Sequence, residues 1–215
     1  MISRILVVGY GSIGRRHAAI ARRNYPDVEI ALLRHRILDQ NKPSGITEVF
    51  DNVHDALAFM PDIAVIANPA TKHVDTAFPL AEAGIHLLIE KPISHSVTRV
   101  YELLRVCEEN NVVLMVGYNL RYMDSFKYFK RAVEQGAVGH PLSARLEAGQ
   151  YLPSWRPDVD YRESVSANAA LGGGVLLELS HDIDYALSLF GKVQWVSARI
   201  MRQSNLEIDV EDAAH

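Results

Sequence analysis

Residues 2–24 read ISRILVVGYGSIGRRHAAIARRN, and the way this stretch divides decides the fold. Ile2 to Val8 is an apolar run of the length of one buried strand. Ser12 to Asn24 places Ile13, His17, Ile20 and Ala21 at helical spacing, as expected for a helix covering that strand. Between them, Gly9-Tyr10-Gly11-Ser12-Ile13-Gly14 supplies the pattern GxGxxG. Glycines at a strand-to-helix turn permit a tight bend and close approach of an anion to the first backbone N–H groups of the helix. The turn formed by Gly9, Gly11, Ser12, Ile13 and Gly14 is therefore expected to seat the pyrophosphate of a dinucleotide.

Working outward, the same alternation repeats. Val28 to Leu33, Thr47 to Phe50, Ile63 to Ala67, Ile85 to Ile89 and Val112 to Val116 read as further strands, with helices at 71–82 and 97–109. Strands that alternate with helices predict an α/β fold, a doubly wound parallel sheet of the Rossmann type, over residues 1–118. The pattern then changes. Residues 119–215 carry a helix near 125–134, an alternating run from Leu142 to Ala148, and an aperiodic loop from Gln150 to Ser166. Gly172-Gly173-Gly174 then precedes a helix to Phe190, and a strand follows over Gln194 to Met201. This half reads as a partial α/β domain with an open sheet, expected to serve substrate binding and homo-oligomer formation. Its final run, Ile208 to His215, resembles the start of another strand.

Composition narrows the partners. The chain has 215 residues, 48% hydrophobic and 22% charged, with a net charge of -4, so neither nucleic acid nor an anionic membrane finds a basic surface. A small molecule is the expected partner. The single cysteine, Cys107, cannot form an internal disulfide, and the N-terminal apolar run is too short for a signal or a membrane span, which reads as a cytoplasmic protein. No metal ligand set is assigned.

Four further positions carry candidate chemistry. Leu33 is followed by Arg34, His35 and Arg36, where NAD-binding folds place an acid, and a basic residue there favours NADP(H) over NAD(H); a solvated basic loop is the alternative. Asn68, Pro69, Thr71 and His73 follow the fourth strand at the ligand-binding edge, with His73 read as a first-turn surface or capping residue near the cofactor. Glu90 and Lys91 follow the fifth strand, so Lys91 is expected at the nicotinamide end of the crevice, either stabilising an alkoxide or paired structurally with a carboxylate such as Glu90. Glu178, His181 and Asp184 recur every three residues, which puts carboxylate, imidazole and carboxylate on one face of a helix. Such a histidine suits proton exchange with a hydroxyl; a satisfied core histidine is the alternative.

GYGSIGRRH, ANPATKH, EKP, GYNLRY and LGGGVLLELSHDIDYALSLFG stand in the order and spacing of the Gfo/Idh/MocA oxidoreductases, and nearly the whole chain resembles that family. The resemblance implies NAD(P)-dependent hydride transfer to or from a hydroxyl or keto carbon of a sugar, polyol or nucleotide sugar. It implies catalytic roles for Lys91, His181 and Asp184 and brings Asn119 of GYNLRY to the cofactor. Leu177 stands where the family has a further acid, which detaches Glu178 from that role. Trp155-Arg156 resembles a pair that approaches the cofactor, with a loop anchor as the alternative, and WRPDVDYRES is similar to relatives in surface-polysaccharide sugar biosynthesis. Tyr161, Arg162, Glu178, His181 and Lys91 are thereby substrate-facing candidates. Relatives of this kind continue further, so the chain reads as shortened at its C-terminus. A cofactor-binding sensor or assembly subunit without catalysis is the competing expectation.

Overall fold

The structure, a computed structural model, describes residues 2–34 and 42–215. The chain divides into two compact units, Met1–Gly117 and Tyr118–His215.

The first unit is built on six strands: β1 Arg4–Val8, β2 Glu29–Leu33, β3 Glu48–Phe50, β4 Ile63–Ile66, β5 His86–Ile89 and β6 Leu114–Val116. They form one parallel sheet in the order β3-β2-β1-β4-β5-β6, the doubly wound Rossmann arrangement expected from the alternation. Among the described residues four α-helices accompany it, α1 Ser12–Asn24, α2 Val53–Leu57, α3 His73–Glu82 and α4 Val100–Glu109. Successive side chains in a strand point to opposite faces, so β1 splits its apolar residues between two cores. Leu6 and Val8 pack with Ala56, Val74, Phe78 and Leu103 from α2, α3 and α4, while Ile5 and Val7 pack with Ala18 and Ala21 of α1. Burying each such aliphatic side chain contributes about 1.5–3 kcal/mol, which is why a strand with no polar face holds its place between two helical layers. Cys107 belongs to the first core, and burial pushes its thiol up, away from the reactive thiolate.

The register aligns the carboxyl ends. Val8 pairs with Ile66, Ile66 with Ile89 and Ile89 with Val116. Gly9, Ala67, Glu90 and Gly117 consequently leave the sheet at one edge, around the point where the strand order reverses between β1 and β4. Open α/β sheets bind ligands there.

One expectation about α1 shifts by a residue. Ile13 and Ile20 are 36% and 41% exposed, whereas Gly14 and Ala18 are buried against the sheet. A Cβ on Gly14 would collide with the Gly9 carbonyl and touch Val7, so α1 lies too close to β1 to admit any side chain at that position.

The second unit holds α5 Asp124–Glu134, α6 Leu152–Trp155, α7 Val175–Glu178 and α8 Ser180–Phe190, together with two short antiparallel strands, β7 Ile200–Met201 and β8 Ala213–Ala214. Phe126 of α5 stacks on Tyr185 of α8 at 4.8 Å between ring centroids. A small core gathers Ala167, Ile208 and Val210 with Leu152, Tyr161 and Leu206. The run from Leu142 to Ala148 is not a strand, and the expected strand over Gln194 to Met201 shrinks to its last two residues. Alternation marks a chain able to join a sheet, but a strand exists only where a neighbour supplies the hydrogen-bond ladder, and residues 142–148 have none among the described residues. Glu178 and His181 also do not share one continuous helix, because Leu179, at φ -98° and ψ 22°, separates α7 from α8. Among the described residues no helix is long and apolar enough to cross a membrane.

Candidate functional site

At the end of β1 the chain turns through Gly9, whose φ of +84° favours glycine and whose N–H donates to the Leu33 carbonyl at 2.8 Å. A Cβ there would stand 2.8 Å from the Ala67 carbonyl oxygen, so the turn lies flush against the backbone following β4. Gly11 caps α1. Its cap makes no side-chain hydrogen bond, its first turn holds no acid, and among the described residues a Cβ on Gly11 would meet nothing within 4 Å. Among the described residues, the positive end of this thirteen-residue helix thus has neither a capping side chain nor an acid on it. Gly9, Gly11, Ser12, Ile13 and Gly14 fit a phosphate-bearing ligand. Arg34 leaves β2 with its N–H on the Phe50 carbonyl at 3.0 Å, at the same end of the sheet. His35 and Arg36, the rest of the basic run, lie outside the described residues.

Beyond β4, Asn68 and Pro69 lead into a short turn, Ala70–Lys72, so Thr71 lies within that turn and Lys72 takes the cap of α3. Asn68 Nδ2 donates to Thr76 Oγ1 at 3.0 Å, and its buried Oδ1 has no hydrogen-bond partner among the described residues. His73 is not the surface residue expected from its first-turn position. It is 1% exposed, with Nε2 at 2.8 Å from the Asn68 carbonyl and Nδ1 at 2.9 Å from the Pro92 carbonyl. The correction has a tertiary cause: α3 turns this face toward the loop after β5, which the helical period alone does not reveal. Desolvation lowers the His73 pKa, against the pull of the two carbonyls and the Glu90 charge.

Replacing His73→Ala is expected to destabilise the first unit by about 2–4 kcal/mol, because it opens a cavity and removes the one N–H that the neutral ring offers the Asn68 and Pro92 carbonyls. Acid dependence gives a second check. With the folded pKa below the ordinary value of 6.5, the unfolded chain binds the proton first, so the His73 contribution is full above 6.5 and is lost as pH falls below it. Thermal melts from neutral to mildly acidic pH should therefore lose less Tm in His73→Ala than in the wild type.

After β5, Glu90 directs its carboxylate to α1, where His17 Nε2 and Glu90 Oε1 stand 2.6 Å apart. The carboxylate also rests on the end of β6, since a Cβ on Gly117 would come within 3.0 Å of Oε2. Burial pushes the Glu90 carboxyl up, but the His17 hydrogen bond and positive charge, with the Lys91 N–H and charge, outweigh it and hold the pKa below the ordinary range. Lys91 itself is half-buried at this edge. His17 escaped the sequence reading because it was counted as part of the helix's covering face; its position in GYGSIGRRH, one turn past the glycines, was the available signal.

The second unit joins two segments through paired i,i+3 positions. Tyr118 meets the His181 ring edge-on at 5.6 Å, and Arg121 forms a two-pronged ion pair with Asp184, both contacts 2.6 Å. Asp184 is buried, its oxygens are held by the guanidinium, and Arg121 is raised in pKa chiefly by that bond. Tyr118 and Arg121 were not named from sequence, although GYNLRY spaces them as His181 and Asp184 are spaced. Asn119 is exposed beside them, and Glu178 closes α7 with its N–H on the Gly174 carbonyl at 3.0 Å. Arg156 lies over the Trp155 ring at 5.8 Å. Tyr161 packs in the small core and its hydroxyl accepts from Glu207 N–H at 3.3 Å, while Arg162 is engaged by Asp160 at 2.6 Å and Glu207 at 3.1 Å. The structure thus gives Tyr161 and Arg162 internal partners.

Comparison with known proteins agrees with this fold. Residues 3–118 match the profile of an oxidoreductase family with an NAD-binding Rossmann fold, and residues 126–215 match the GFO/IDH/MocA C-terminal domain. Myo-inositol 2-dehydrogenase of Thermotoga maritima is 26% identical over 88% of this chain and 55% of its own length. An NADP(+) scyllo-inositol 2-dehydrogenase of Bacillus subtilis is 28% identical over 85% of this chain and 44% of its own. The chain therefore spans about half the length of these curated relatives. Among solved structures, the WlbA dehydrogenase of Bordetella pertussis, in complex with NADH and UDP-GlcNAcA, superposes with a TM-score of 0.79 at 22% identity, covering 100% of this chain and 66% of that one.

Proposed function

The chain belongs to the GFO/IDH/MocA oxidoreductase family, and from that premise we propose that it is an NAD(P)-dependent dehydrogenase acting on a CH–OH group of a sugar, polyol or nucleotide sugar. One observation carries the reading: the N-terminus of α1 and Lys91 stand at the same carboxyl edge of one sheet, on β1 and β5. The inositols and the UDP-sugar named with the relatives define the substrate class to be tested.

In this reading the N–H groups at Gly11, Ser12, Ile13 and Gly14 hold the pyrophosphate, and Arg34 faces the adenosine ribose. The nicotinamide, when bound, supplies the hydride acceptor or donor. The Lys91 ammonium draws on the substrate oxygen and stabilises the negative charge that develops as its proton leaves. His181 exchanges that proton, and Asp184, held by Arg121, fixes the helix turn that carries His181. Asn68 offers its unpartnered Oδ1 to a cofactor donor.

The test follows absorbance at the reduced-nicotinamide band with NAD and NADP against inositols, free sugars and UDP-sugars. A rise with at least one substrate is expected; cofactor binding without any redox change across the panel would overturn the catalytic reading in favour of a sensor. For cofactor choice, we propose NADP(H) through Arg34. Arg34→Ala should weaken NADPH about ten- to a hundredfold, the worth of one charge-assisted phosphate contact, and NADH far less. Equal losses for the two cofactors, measured by fluorescence titration, would remove Arg34 from that role.

A further inference from the structure

We propose that the Glu90 carboxylate, held in place by His17, sets which redox state of the bound dinucleotide this chain prefers, a role that rests on the dinucleotide reading above. His17 lies six residues beyond Gly11, about 9 Å along the helix axis from the pyrophosphate seat. Glu90 directly precedes Lys91 and is pinned to His17 at 2.6 Å and against Gly117. The pair consequently bridges the phosphate-binding helix and the end of β5.

A dinucleotide seated on α1 sends its adenosine half toward the end of β2 and Arg34, so its nicotinamide half runs the other way, over β4 and β5. That is the side on which Glu90 lies. Both side chains are shielded without being sealed, 22% and 19% exposed, so a charge placed here is incompletely screened.

The electrostatic consequence depends on sign. An oxidised nicotinamide ring carries a positive charge that the reduced ring lacks. The Glu90 carboxylate therefore favours the oxidised cofactor, and the His17 hydrogen bond holds that carboxylate in place. Two further ionisable groups interact with Glu90: Lys91, whose charge acts on it, and His73, on which it acts. Neither changes in the variants below, so neither accounts for a difference between them. The pair does not touch the reacting atoms in this scheme; it acts by its charge.

The test is the ratio of dissociation constants for the oxidised and reduced forms of the same dinucleotide, measured by titration calorimetry on the full chain. Glu90→Gln preserves shape and removes the negative charge; His17→Gln keeps an N–H donor for the carboxylate and leaves that charge in place. Glu90→Gln should shift the ratio severalfold toward the reduced form, and His17→Gln should leave it within about twofold of the wild type. A shift confined to Glu90→Gln is the signature, because structural damage weakens both forms together and leaves the ratio in place. A Glu90→Gln ratio within about twofold of the wild type, a shift toward the oxidised form, or an equal shift in His17→Gln overturns the proposal. A wild-type chain that binds neither form of either dinucleotide overturns the reading beneath it instead, so the two failures are distinguishable.

Discussion

Gly14→Ala is expected to abolish dinucleotide binding while the second unit keeps its structure. The added methyl would be driven into the Gly9 carbonyl, with Val7 Cγ1 at 3.6 Å blocking an alternative path. Backbone cannot rotate away as a flexible side chain would, so α1 must move off β1. Overpacking of this kind costs about 1–3 kcal/mol, at its upper end where the neighbour is main chain. The same displacement misplaces the first-turn N–H groups, and at 1.4 kcal/mol per tenfold a loss of two such contacts lowers affinity by about a hundredfold or more. A fall in Tm together with loss of NADH and NADPH binding by fluorescence titration is the expected result. Wild-type affinity in a folded variant would remove the glycine turn as the pyrophosphate seat. Gly11→Ala supplies the contrast: its Cβ meets no protein atom, so it should keep Tm and lose affinity, since only the ligand occupies that space.

Lys91→Ala should lower turnover by about a hundred- to a thousandfold, the usual effect of removing one group that stabilises developing charge on oxygen. Cofactor affinity should change little by comparison, because the proposed pyrophosphate seat is on α1 at the end of β1, away from Lys91 at the end of β5. The measurement is kcat and KM from reduced-nicotinamide absorbance, with the substrate of the panel that turns over best. A drop confined to KM would recast Lys91 as a binding group, and unchanged kinetics would sink its catalytic assignment. The half-buried position of Lys91 separates this loss from unfolding: removing a partly solvated side chain from a sheet edge opens no cavity in either core.

The legible part of this protein is the part governed by short-range rules. Strand β1, the glycine turn and helix α1 follow from apolar runs, a period of 3.6 and the steric freedom of glycine, and the sheet order follows from their repetition. The face of α1 was read one residue out, because hydropathy ranks Ile13 above Gly14 while close packing requires the reverse. In the second unit the alternating runs at 142–148 and 194–201 overstate the strands, since alternation records a capacity to pair and says nothing of whether a partner is present.

By itself the sequence determined a doubly wound sheet, a glycine turn at Gly9, Gly11 and Gly14 between β1 and α1, and the exit of Lys91 from the end of a buried strand. Each depends on residues within one strand–turn–helix unit. Only the tertiary structure decided that His73 is a buried tie between Asn68 and Pro92, that Glu90 belongs to His17, and that Asp184 belongs to Arg121. His17 and Glu90 are 73 residues apart, and Arg121 and Asp184 are 63 apart. No periodicity reaches that far: such partners are chosen by which chain segments the fold brings side by side, and a polar side chain leaving water takes the partner that the fold presents.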